Sequence, residues 1–588
     1  MGRNAKAQSA ESHLATPARL TGAEIVWATL VGEGVTTVFG YPGGAILPVY
    51  DALRKFPIHH VLVRHEQGAA HMADGFARAS GKVGVAIATS GPGATNLVTG
   101  IATAMLDSIP MVCITGNVSS RVLGTDAFQE VDITGITLPV TKHNFLVNKA
   151  EDIAHAIRYA FQIAQSGRPG PVLVDITKDA QQASAIFDFE AAKPRAYRPH
   201  PMLRVEESGL NHAAELIRNA KRPVILAGHG VMESAAMEQI RTLAERAEIP
   251  VALTLLGLGG FPASHPLNLG MMGMHGESWV NHAIQDADLL IACGMRFDDR
   301  VTGTTSTYAL KAKKIHIEVD PSEVNKNVKV DVALVGDLRA VLEDLLPRIS
   351  GRDGSAWLKE IESSKGAVAV RDIKNLPDSG HLYAAHVMHD LWRITSGDAI
   401  VATDVGQHQM WEAQYFHHEK PRSLVTSGGL GTMGFALPAA IGAKMACPDK
   451  EVWVIAGDGG FQMTSAELST IVQEQIKINI AVINNGYLGM VRQWQEFFYE
   501  SNYEATPLAS PDFVKLADAH GIRGRAVRTR AELADAVKEA REAKGSFLLN
   551  FLVEKEDSVY PMIPAGNALH EMIRRPGKNP LIESAEDE

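Results

Sequence analysis

Gly457-Asp458-Gly459-Gly460, followed along the chain by Asn484-Asn485, is the stretch that decides the fold. The apolar runs before the glycines and before the asparagines are each typical of a buried strand. Helical spacing of apolar residues over 465–475 places a helix between them. In a right-handed strand–helix–strand unit both strands end at the same sheet edge, so we expect Asp458 and Asn485 to converge there.

This pair of motifs predicts a site for a metal ion and a diphosphate. A carboxylate, an amide oxygen and free backbone carbonyls are hard ligands that suit Mg²⁺ bound together with phosphate oxygens. A bare Gly-Asp-Gly turn lets a diphosphate approach the backbone closely. Either motif alone is equally typical of an ordinary turn or loop start. Their joint order and spacing favour the binding site.

Composition sets the broad class. The 588 residues suffice for three or four domains, and the net charge of -11 is spread along the chain, which favours neither a nucleic-acid nor an anionic membrane partner. The sequence has no apolar run long enough to span a bilayer, and residues 1–19 lack the apolar core of a signal peptide. The three cysteines have no metal-like spacing, so we expect reduced thiols and a cytoplasmic location.

Short apolar β-rich runs alternate with helical patterns and predict an α/β fold of doubly wound parallel sheets. We expect three such domains with tails outside them: a tail at 1–19, domains at 20–185, 205–349 and 375–555, and a tail at 556–588. Segments rich in proline, glycine and charge, at 187–201 and 351–380, are predicted to be linkers. The first and third domains share a pattern of strand, glycine turn and helix.

The first domain carries its own set of polar loops. The segments 41–45, 65–68 and 90–96 each follow an apolar run, which places them at the carboxyl edge of a parallel sheet, where ligands bind. Glu66 lies in the second of these loops. A glutamate there has two interpretations, a catalytic carboxylate or a helix-start carboxylate that accepts hydrogen bonds from free backbone N–H groups.

These motifs resemble those of a known superfamily. Gly457 to Asn485, with Arg64-His-Glu-Gln-Gly68, is similar to the thiamine diphosphate (ThDP) signature of the pyruvate decarboxylase-like enzymes. Further segments narrow the resemblance, in chain order, to the catalytic subunits of the acetolactate synthase (acetohydroxyacid synthase) family, of the biosynthetic FAD-containing type. They include 41–45, 124–130, 167–175, 273–276, 296–303, 404–411, 429–434 and 489–494.

The resemblance implies three cofactors, ThDP, Mg²⁺ and FAD, with pyrimidine- and diphosphate-binding domains flanking a Rossmann-like FAD domain. Glu66 would hydrogen-bond the ThDP aminopyrimidine, which makes it an acid–base group. Asp458 and Asn485 would bind Mg²⁺ through side chains, and Tyr487 through its carbonyl. The rest of the ThDP groove would be Pro42, Val405, Gly406, Gln407, His408, Gly431, Met433, Gly457, Gly459 and Gly460.

The resemblance also implies an FAD site in the central domain, with a structural role for the flavin. Its contacts would be Arg168, Gly228, Gly230, Thr254, Leu255, Gly273, His275, Gly294, Arg296, Asp298, Glu318 and Asp337. Glu318 ends a strand, a place from which a carboxylate can accept hydrogen bonds from ribose hydroxyls. The family commonly has three glycines where this chain has Gly228-His229-Gly230, which leaves the role of His229 undetermined.

Substrate-facing residues follow from the same likeness. Gly44 and Gln129 would lie near the reacting carbon and stabilise oxyanion charge, and Phe128 and Lys178 would line the substrate entrance. Arg300 would pair with a 2-ketoacid carboxylate and Trp494 would contact its alkyl group. Met433 would support the bend between the two ThDP rings. The alternatives are core packing for Met433 and Trp494, and a solvated surface charge for Lys178.

The implied activity is that of a ThDP-dependent transferase. Pyruvate is decarboxylated and the hydroxyethyl carbanion is transferred to pyruvate or 2-ketobutyrate, giving 2-acetolactate or 2-aceto-2-hydroxybutyrate for valine, leucine and isoleucine synthesis. The expected partners are a second copy or three further copies of the chain, and a regulatory small subunit. The alternatives are a pyruvate oxidase, a glyoxylate carboligase, and a non-catalytic nucleotide-binding or regulatory subunit. The presence of Glu66 disfavours the second, and Glu66, Asp458 and Asn485 together disfavour the last.

Overall fold

The computed structural model describes residues 16–194, 205–365, 376 and 380–575. Within them, three parallel sheets of six strands each confirm the predicted fold class. Several strands are buried at every position, among them the segment Gly84–Ala88, as expected for parallel sheets covered on both faces by helices.

The first unit contains a six-stranded sheet and a two-stranded ribbon. In chain order its strands are β1 (Ala18–Thr21), β2 (Thr37–Gly40), β3 (His59–Leu62), β4 (Gly84–Ala88), β5 (Met111–Asn117), β6 (His143–Val147), β7 (Pro171–Thr177) and β8 (Ser184–Phe187). β1 and β8 pair antiparallel, and the others are parallel in the order β3-β2-β4-β5-β7-β6. The helices are Gly22–Gly32, Leu47–Leu53, Glu66–Ser80, Pro92–Asn96, Val98–Asp107, Ile133–Thr137, Ile153–Gln165 and Lys178–Gln182.

The central unit has the Rossmann strand order. Its strands are β9 (Pro223–Ala227), β10 (Val251–Leu253), β11 (Asn268–Met271), β12 (Leu289–Cys293), β13 (Lys313–Glu318) and β14 (Val332–Val335), in the order β11-β10-β9-β12-β13-β14. The strand order reverses between β9 and β12, which is where such sheets bind ligands. The helices are Glu207–Asn219, Gly230–Glu233, Met237–Ala247, Ser278–Asp286, Asp299–Thr302, Leu338–Leu345 and Ser355–Lys365.

The third unit repeats the topology of the first. Its strands are β15 (Ile400–Thr403), β16 (Leu424–Thr426), β17 (Val452–Gly457), β18 (Asn479–Asn484), β19 (Arg523–Val527) and β20 (Phe547–Leu552). They are parallel in the order β16-β15-β17-β18-β20-β19. The helices are Ala384–Thr395, Gln407–Tyr415, Ala436–Ala446, Asp458–Thr464, Leu468–Glu474, Gly489–Phe498, Phe513–Ala519 and Arg530–Glu542.

The first and third units share one hydrophobic core. The helices Glu66–Ser80 and Ala436–Ala446 cross at this boundary, and their backbones come into contact at two glycines. A Cβ atom on Gly75 would lie 2.1 Å from the Ala439 carbonyl oxygen, and one on Gly442 would lie 1.9 Å from the Met72 oxygen. No side chain larger than hydrogen fits at either crossing point.

The structure differs from the sequence expectations around the opening motif. Gly457-Asp458-Gly459-Gly460 does not form a separate turn, because β17 runs through Gly457 and the helix begins at Asp458. Gly457 has extended backbone angles that any residue can adopt. Glycine is required there because a Cβ atom would lie 2.9 Å from the His408 ring. The helical pattern over 465–475 forms a short 3-10 turn over Ser465–Glu467 and then the helix Leu468–Glu474.

Two segments predicted to lie outside the domains are folded. Part of the expected 351–380 linker is the helix Ser355–Lys365, which buries Trp357 and Ile361 in the core of the central unit. From the expected C-terminal tail, residues 556–575 pack against the same core and bury Ile563 and Leu569, because their apolar side chains cover the sheet. The N-terminal tail predicted for residues 1–19 also overlaps the fold, because β1 begins at Ala18. Of the predicted linkers, residues 195–201 of the first and residues 366–375 and 377–379 of the second lie outside the described residues.

The helix crossing gives a stability prediction. Gly442→Ala should lower the midpoint of heat-induced unfolding, because the added methyl group forces the two helices apart and overpacking of this kind costs about 1–3 kcal/mol. The measurement is differential scanning calorimetry. Gly545→Ala is the matched control, since a Cβ atom there meets no atom within 4 Å. Equal midpoints for the two variants would contradict the prediction.

Candidate active site

Asp458 lies at the centre of the candidate site, where β17 passes into a helix. Its side chain is 1% exposed, and its Oδ2 accepts hydrogen bonds from the Gly486 N–H and the Ser510 hydroxyl, both at 3.1 Å. Burial raises the pKa of Asp458 to about 6, against the lowering effect of these hydrogen bonds. A divalent cation at this carboxylate would offset that desolvation by favouring the charged form.

The turn after β18 brings the amide motif to Asp458, as the sequence predicts. Gly486 has a φ of +71°, a conformation that glycine adopts without strain. Asn484 Oδ1 accepts from the Gly486 N–H at 3.2 Å, and Asn485 Oδ1 accepts from the Tyr487 N–H at 3.1 Å. Asn485 and Tyr487 both line the same pocket as Asp458.

His408 fills the floor of this pocket between two glycines. A Cβ atom on Gly406 or on Gly457 would lie 2.9 Å from its imidazole ring. Burial lowers the pKa of His408 to about 3, so the ring is neutral. Its Nε2 is buried without a hydrogen-bond partner in the protein. Close backbone approach beside an unpartnered polar atom fits a diphosphate group, and with Asp458 and Asn485 it fits ThDP and Mg²⁺.

Most of the predicted third-domain cofactor residues line this one pocket. They are Val405, Gly406, Gln407, His408, Met433, Gly457, Asp458, Gly459, Gly460, Asn485 and Tyr487. Gly431 is outside this set, on the exposed loop before Met433, with a φ of +72°. The sequence interpretation omitted Trp411 and Leu488, which also contribute to the wall. Trp411 lies within the helix Gln407–Tyr415 and Leu488 directly precedes the helix Gly489–Phe498, so spacing alone does not mark them.

Asp404 connects two loops of the pocket by hydrogen bonds and was not predicted as a site residue. This buried carboxylate accepts from the N–H groups of Val405 at 2.9 Å, Gly434 at 2.9 Å and Ala436 at 3.1 Å. Burial raises the pKa of Asp404 to about 6. It thus joins the loop after β15 to the loop that carries Met433. Its position at a strand end, the signal applied to Asp458, would have identified it.

Two of the predicted catalytic residues of the first unit, Glu66 and Gln129, lie beside the turn 89–93 after β4. Glu66 Oε2 accepts from Asn96 Nδ2 at 2.9 Å, and Glu66 Oε1 would lie 3.3 Å from a Cβ atom on Gly93. The Gln129 backbone packs on Gly91, where a Cβ atom would meet its carbonyl oxygen at 2.8 Å. β2 and β4 flank the point where this sheet reverses its strand order, which is the expected ligand-binding edge.

The loop that holds Pro42 and Gly44 lies beside this turn. Thr89 packs on Gly43, and its hydroxyl accepts from the Ala45 N–H at 3.3 Å, which fixes the loop that holds Pro42 and Gly44. A Cβ atom on Gly44 would meet no other atom within 4 Å, so its backbone borders open space. Lys178 is half-buried where β7 ends, and Phe128 is 88% exposed.

Two further residues that hold Glu66 were missed. Asn96 donates to its carboxylate, and Glu467 of the third unit accepts from the N–H groups of Arg64 and His65, at 3.0 and 3.2 Å, beside the start of the Glu66 helix. Glu467 lies some four hundred residues from Glu66 in sequence, so no local pattern could relate them. Asn96 was part of the quoted loop but carried no assigned role.

Arg300 and Trp494 come from different units and are joined through residues 556–575. The Arg300 guanidinium approaches the Met274 sulfur at 2.9 Å, and the Met274 carbonyl accepts from the Ile563 N–H at 2.9 Å. Next to Trp494, Gln493 donates to the Val559 carbonyl at 3.1 Å. The Arg300 side chain is 60% exposed. Trp494 is half-buried and packs on Phe498, with 5.1 Å between ring centroids.

The predicted FAD loops meet at the reversal point of the central sheet. Gly228 and Gly230 follow β9, Gly294 follows β12, and the Gly230 N–H donates to the Gly294 carbonyl at 2.9 Å. A Cβ atom on Gly230 would lie 2.7 Å from the Gly294 Cα, so these backbones need glycine. His229 between them is half-buried; its Nε2 lies 3.4 Å from Glu233 Oε1, and its Nδ1 makes no hydrogen bond.

Two charged residues mark the carboxyl end of β13. Burial raises the pKa of Glu318 to about 7, although the N–H groups of Val319 and Asp320 donate to it. Arg168 of the first unit reaches this region and pairs with Glu323 at 3.0 Å. A buried carboxylate beside a glycine-lined reversal point fits a nucleotide such as FAD.

The other predicted FAD contacts are spread over the loops at the same sheet edge. Thr254 and Leu255 follow β10; Gly273 and His275 follow β11, with the pKa of His275 lowered to about 4 by burial. Arg296 lies 3.8 Å from Asp298, which caps the helix Asp299–Thr302, and Asp337 caps the helix Leu338–Leu345. In both Asp298 and Asp337, one carboxylate oxygen accepts a hydrogen bond from a backbone N–H group of the helix.

Two further observations bear on the class of protein. The cysteines Cys113, Cys293 and Cys447 are free thiols. Among the described residues, no helix combines the length and apolar character needed to cross a membrane.

Known proteins resemble this chain over nearly its whole length. Three thiamine pyrophosphate enzyme families match it: the N-terminal TPP binding domain over 20–136, the central domain over 210–345 and the C-terminal TPP binding domain over 404–551. Acetolactate synthase of Mycobacterium bovis is 48% identical, covering 96% of this chain and 93% of the relative.

Two more relatives give the same result. The acetolactate synthase large subunit of Corynebacterium glutamicum is 48% identical, covering 97% of this chain and 93% of the relative. The probable acetolactate synthase large subunit of Methanocaldococcus jannaschii is 46% identical, covering 96% and 97%. With its three ThDP-enzyme domains, the chain therefore belongs to the acetolactate synthase large-subunit family.

Proposed function

We propose that the chain catalyses the ThDP-dependent formation of 2-acetolactate from two molecules of pyruvate. With 2-ketobutyrate as the second substrate, the product would be 2-aceto-2-hydroxybutyrate, and both products would serve branched-chain amino-acid synthesis. The observation that carries this proposal is the pocket in which Asp458 and Asn485 face a glycine floor and the unpartnered Nε2 of His408. The family membership gives the reaction type.

ThDP, when bound, would supply the electron sink for decarboxylation of a 2-ketoacid. The chain would contribute the rest. Asp458, Asn485 and the Tyr487 carbonyl would bind Mg²⁺, and the backbone at Gly457 and Gly459 would lie against the diphosphate. Glu66, held by Asn96, would hold and move a proton at the aminopyrimidine ring. Met433 would pack beneath the bend of the cofactor.

Substrate binding would use residues of all three units. The backbone N–H of Gly44 and the Gln129 amide would stabilise developing negative charge on the substrate oxygen. Phe128 and Lys178 would border the entrance. The exposed guanidinium of Arg300 would pair with the carboxylate of the second 2-ketoacid, and the Trp494 indole would contact its alkyl group.

FAD would occupy the reversal point of the central sheet, with a structural role. The close glycine backbones and the raised pKa of Glu318 support this assignment. Further FAD contacts are proposed to be Arg168, Thr254, Leu255, Gly273, His275, Arg296, Asp298 and Asp337. The Nδ1 atom of His229, which makes no hydrogen bond, fits a hydrogen-bonding group at the place where the family commonly has glycine.

The complete active site is proposed to form between two copies of the chain, in a homodimer or homotetramer. Every residue of the Asp458 pocket belongs to the third unit, whereas Glu66 borders the turn 89–93 of the first unit. Exposed apolar side chains support an interface, including Phe128 at 88%, Leu138 at 70% and Met463 at 60%. A regulatory small subunit is proposed from the large-subunit names of the relatives, and a cytoplasmic location from the free thiols.

Replacement of Glu66 tests the acid–base assignment. Glu66→Gln should lower acetolactate formation by about 100-fold or more, because the amide cannot exchange a proton with the cofactor. Binding of ThDP should be retained, since Asp458 and Asn485 are untouched. The assay measures acetolactate from pyruvate with ThDP, Mg²⁺ and FAD, and Glu151→Gln, an exposed glutamate at another helix start, is the control. Full activity of Glu66→Gln, or acetaldehyde as the main wild-type product, would refute the proposal.

Replacement of Asp458 tests the metal assignment. Asp458→Asn should raise the Mg²⁺ concentration needed for half-maximal activity by about 10–100-fold, because a neutral amide is a weaker ligand. Titration with Mg²⁺ at saturating ThDP measures this. Asp449→Asn removes an exposed carboxylate shortly before the same strand and should leave the titration unchanged. An unchanged titration for Asp458→Asn would exclude it as a ligand.

Replacement of Trp494 tests the acceptor assignment. Trp494→Leu should reduce the preference for 2-ketobutyrate over pyruvate by about tenfold, since contact with one methylene group is worth about 1–3 kcal/mol. The ratio of the two products is measured with both acceptors present. Trp392→Leu, a half-buried tryptophan on the helix Ala384–Thr395, is the control. A ratio that stays constant in Trp494→Leu would remove this residue from acceptor selection.

A further inference from the structure

One helix of the first unit holds the loop of the third unit that carries Met433. This helix, Val98–Asp107, presents two polar side chains one turn apart, Thr103 and Asp107. Both are buried, and residues at this spacing lie on the same helix face. Both face the segment 427–434, referred to below as the Met433 loop.

Asp107 binds the beginning of the Met433 loop. Its Oδ2 accepts from the Gly428 N–H at 3.1 Å, and its Oδ1 accepts from the Gly429 N–H at 2.6 Å. The carboxylate also accepts from Arg78 at 2.7 Å. A Cβ atom on Gly429 would lie 2.8 Å from Asp107 Oδ1, so the loop passes close to the carboxylate only because glycine is there.

The Asp107 carboxylate is not fully satisfied by its cation alone. Arg78 is the guanidinium that pairs with both Asp107 and Asp74, and all three side chains are buried. Two carboxylates therefore share one cation. A buried carboxylate is costly unless hydrogen bonds satisfy it. The two N–H groups of the Met433 loop meet this need, so Asp107 fixes the loop and the loop stabilises Asp107.

Thr103 binds the same loop further along. Its hydroxyl and that of Thr432 are 2.7 Å apart, and the Thr432 N–H donates to the Ser427 hydroxyl at 3.1 Å. Beyond Met433, the N–H group of Gly434 donates to Asp404. The loop is thus bound before, beside and after the residues 431–433 that are proposed to contact ThDP.

We infer that Asp107 and Thr103 are positioning residues for the ThDP site. They act across the boundary between two units, by holding Gly431 and Met433 where the cofactor bends. Neither residue touches the Asp458 pocket, so their effect passes through the Met433 loop. This inference rests on the proposed binding of ThDP beside that loop.

The test is the Kd of ThDP in the presence of Mg²⁺. Asp107→Asn replaces one accepting oxygen by an NH₂ group that faces other donors, which should loosen the loop and raise the Kd by about tenfold or more. Tryptophan fluorescence measures it, because Trp411 lines the pocket. The KM for pyruvate at saturating ThDP should change far less than the Kd. Absence of ThDP binding by the wild-type protein would overturn the proposed function rather than this inference.

Asp74→Asn is the matched control. It disturbs the same buried Arg78 cluster but removes no hydrogen bond to the loop, so its thermal stability should fall while its Kd stays within about threefold of the wild type. If Asp74→Asn raises the Kd as much as Asp107→Asn, or if folded Asp107→Asn binds ThDP like the wild type, the inference is wrong.

Thr103→Val decides the matter if Asp107→Asn does not fold. The valine has the size of threonine, leaves the charges intact and removes the hydrogen bond to Thr432. Its Kd for ThDP should rise by about threefold or more. A wild-type Kd in Thr103→Val would then overturn the inference.

Discussion

The structure depends on the close crossing of two helices, Glu66–Ser80 and Ala436–Ala446. At Gly75 and Gly442 their backbones touch, which leaves no freedom in the distance between the first and third units. The first helix begins at Glu66, and the second begins directly after the Met433 loop. One packing contact therefore sets the relative position of Glu66 and the Met433 loop, which are both proposed to contact ThDP.

Polar groups at this boundary reinforce the crossing. Glu467 of the third unit accepts hydrogen bonds from the N–H groups that precede Glu66, and Asp107 of the first unit accepts them from the loop before Met433. Each unit thus supplies a buried carboxylate that orders a loop of the other. Hydrogen bonds of this kind stabilise both carboxylates in an apolar environment, where an unbonded charge would be strongly unfavourable.

Much of the fold follows from the sequence pattern. Strands such as Pro223–Ala227 are short, apolar and bounded by turn residues, so the sequence pattern identifies them directly. The position of Asp458 and Asn485 at one sheet edge follows from strand handedness alone. The roles of Glu467, Ser510 and Asp107 could not be predicted, because each depends on contacts between segments far apart in sequence. The helix Ser355–Lys365 was missed since its apolar residues are few and its flanks resemble a linker.

The residues 556–575 are held in place by side chains from another part of the chain. Three glutamines hold this segment: Gln407 donates to the Asp557 carbonyl at 3.2 Å, Gln493 to that of Val559 at 3.1 Å and Gln414 to that of Tyr560 at 3.1 Å. All three bonds are made to main-chain oxygens, which every amino acid possesses. The path of the chain between Arg300 and Trp494 is therefore specified at Asp557, Val559 and Tyr560 through main-chain oxygens, whereas further along it depends on the buried side chains of Ile563 and Leu569.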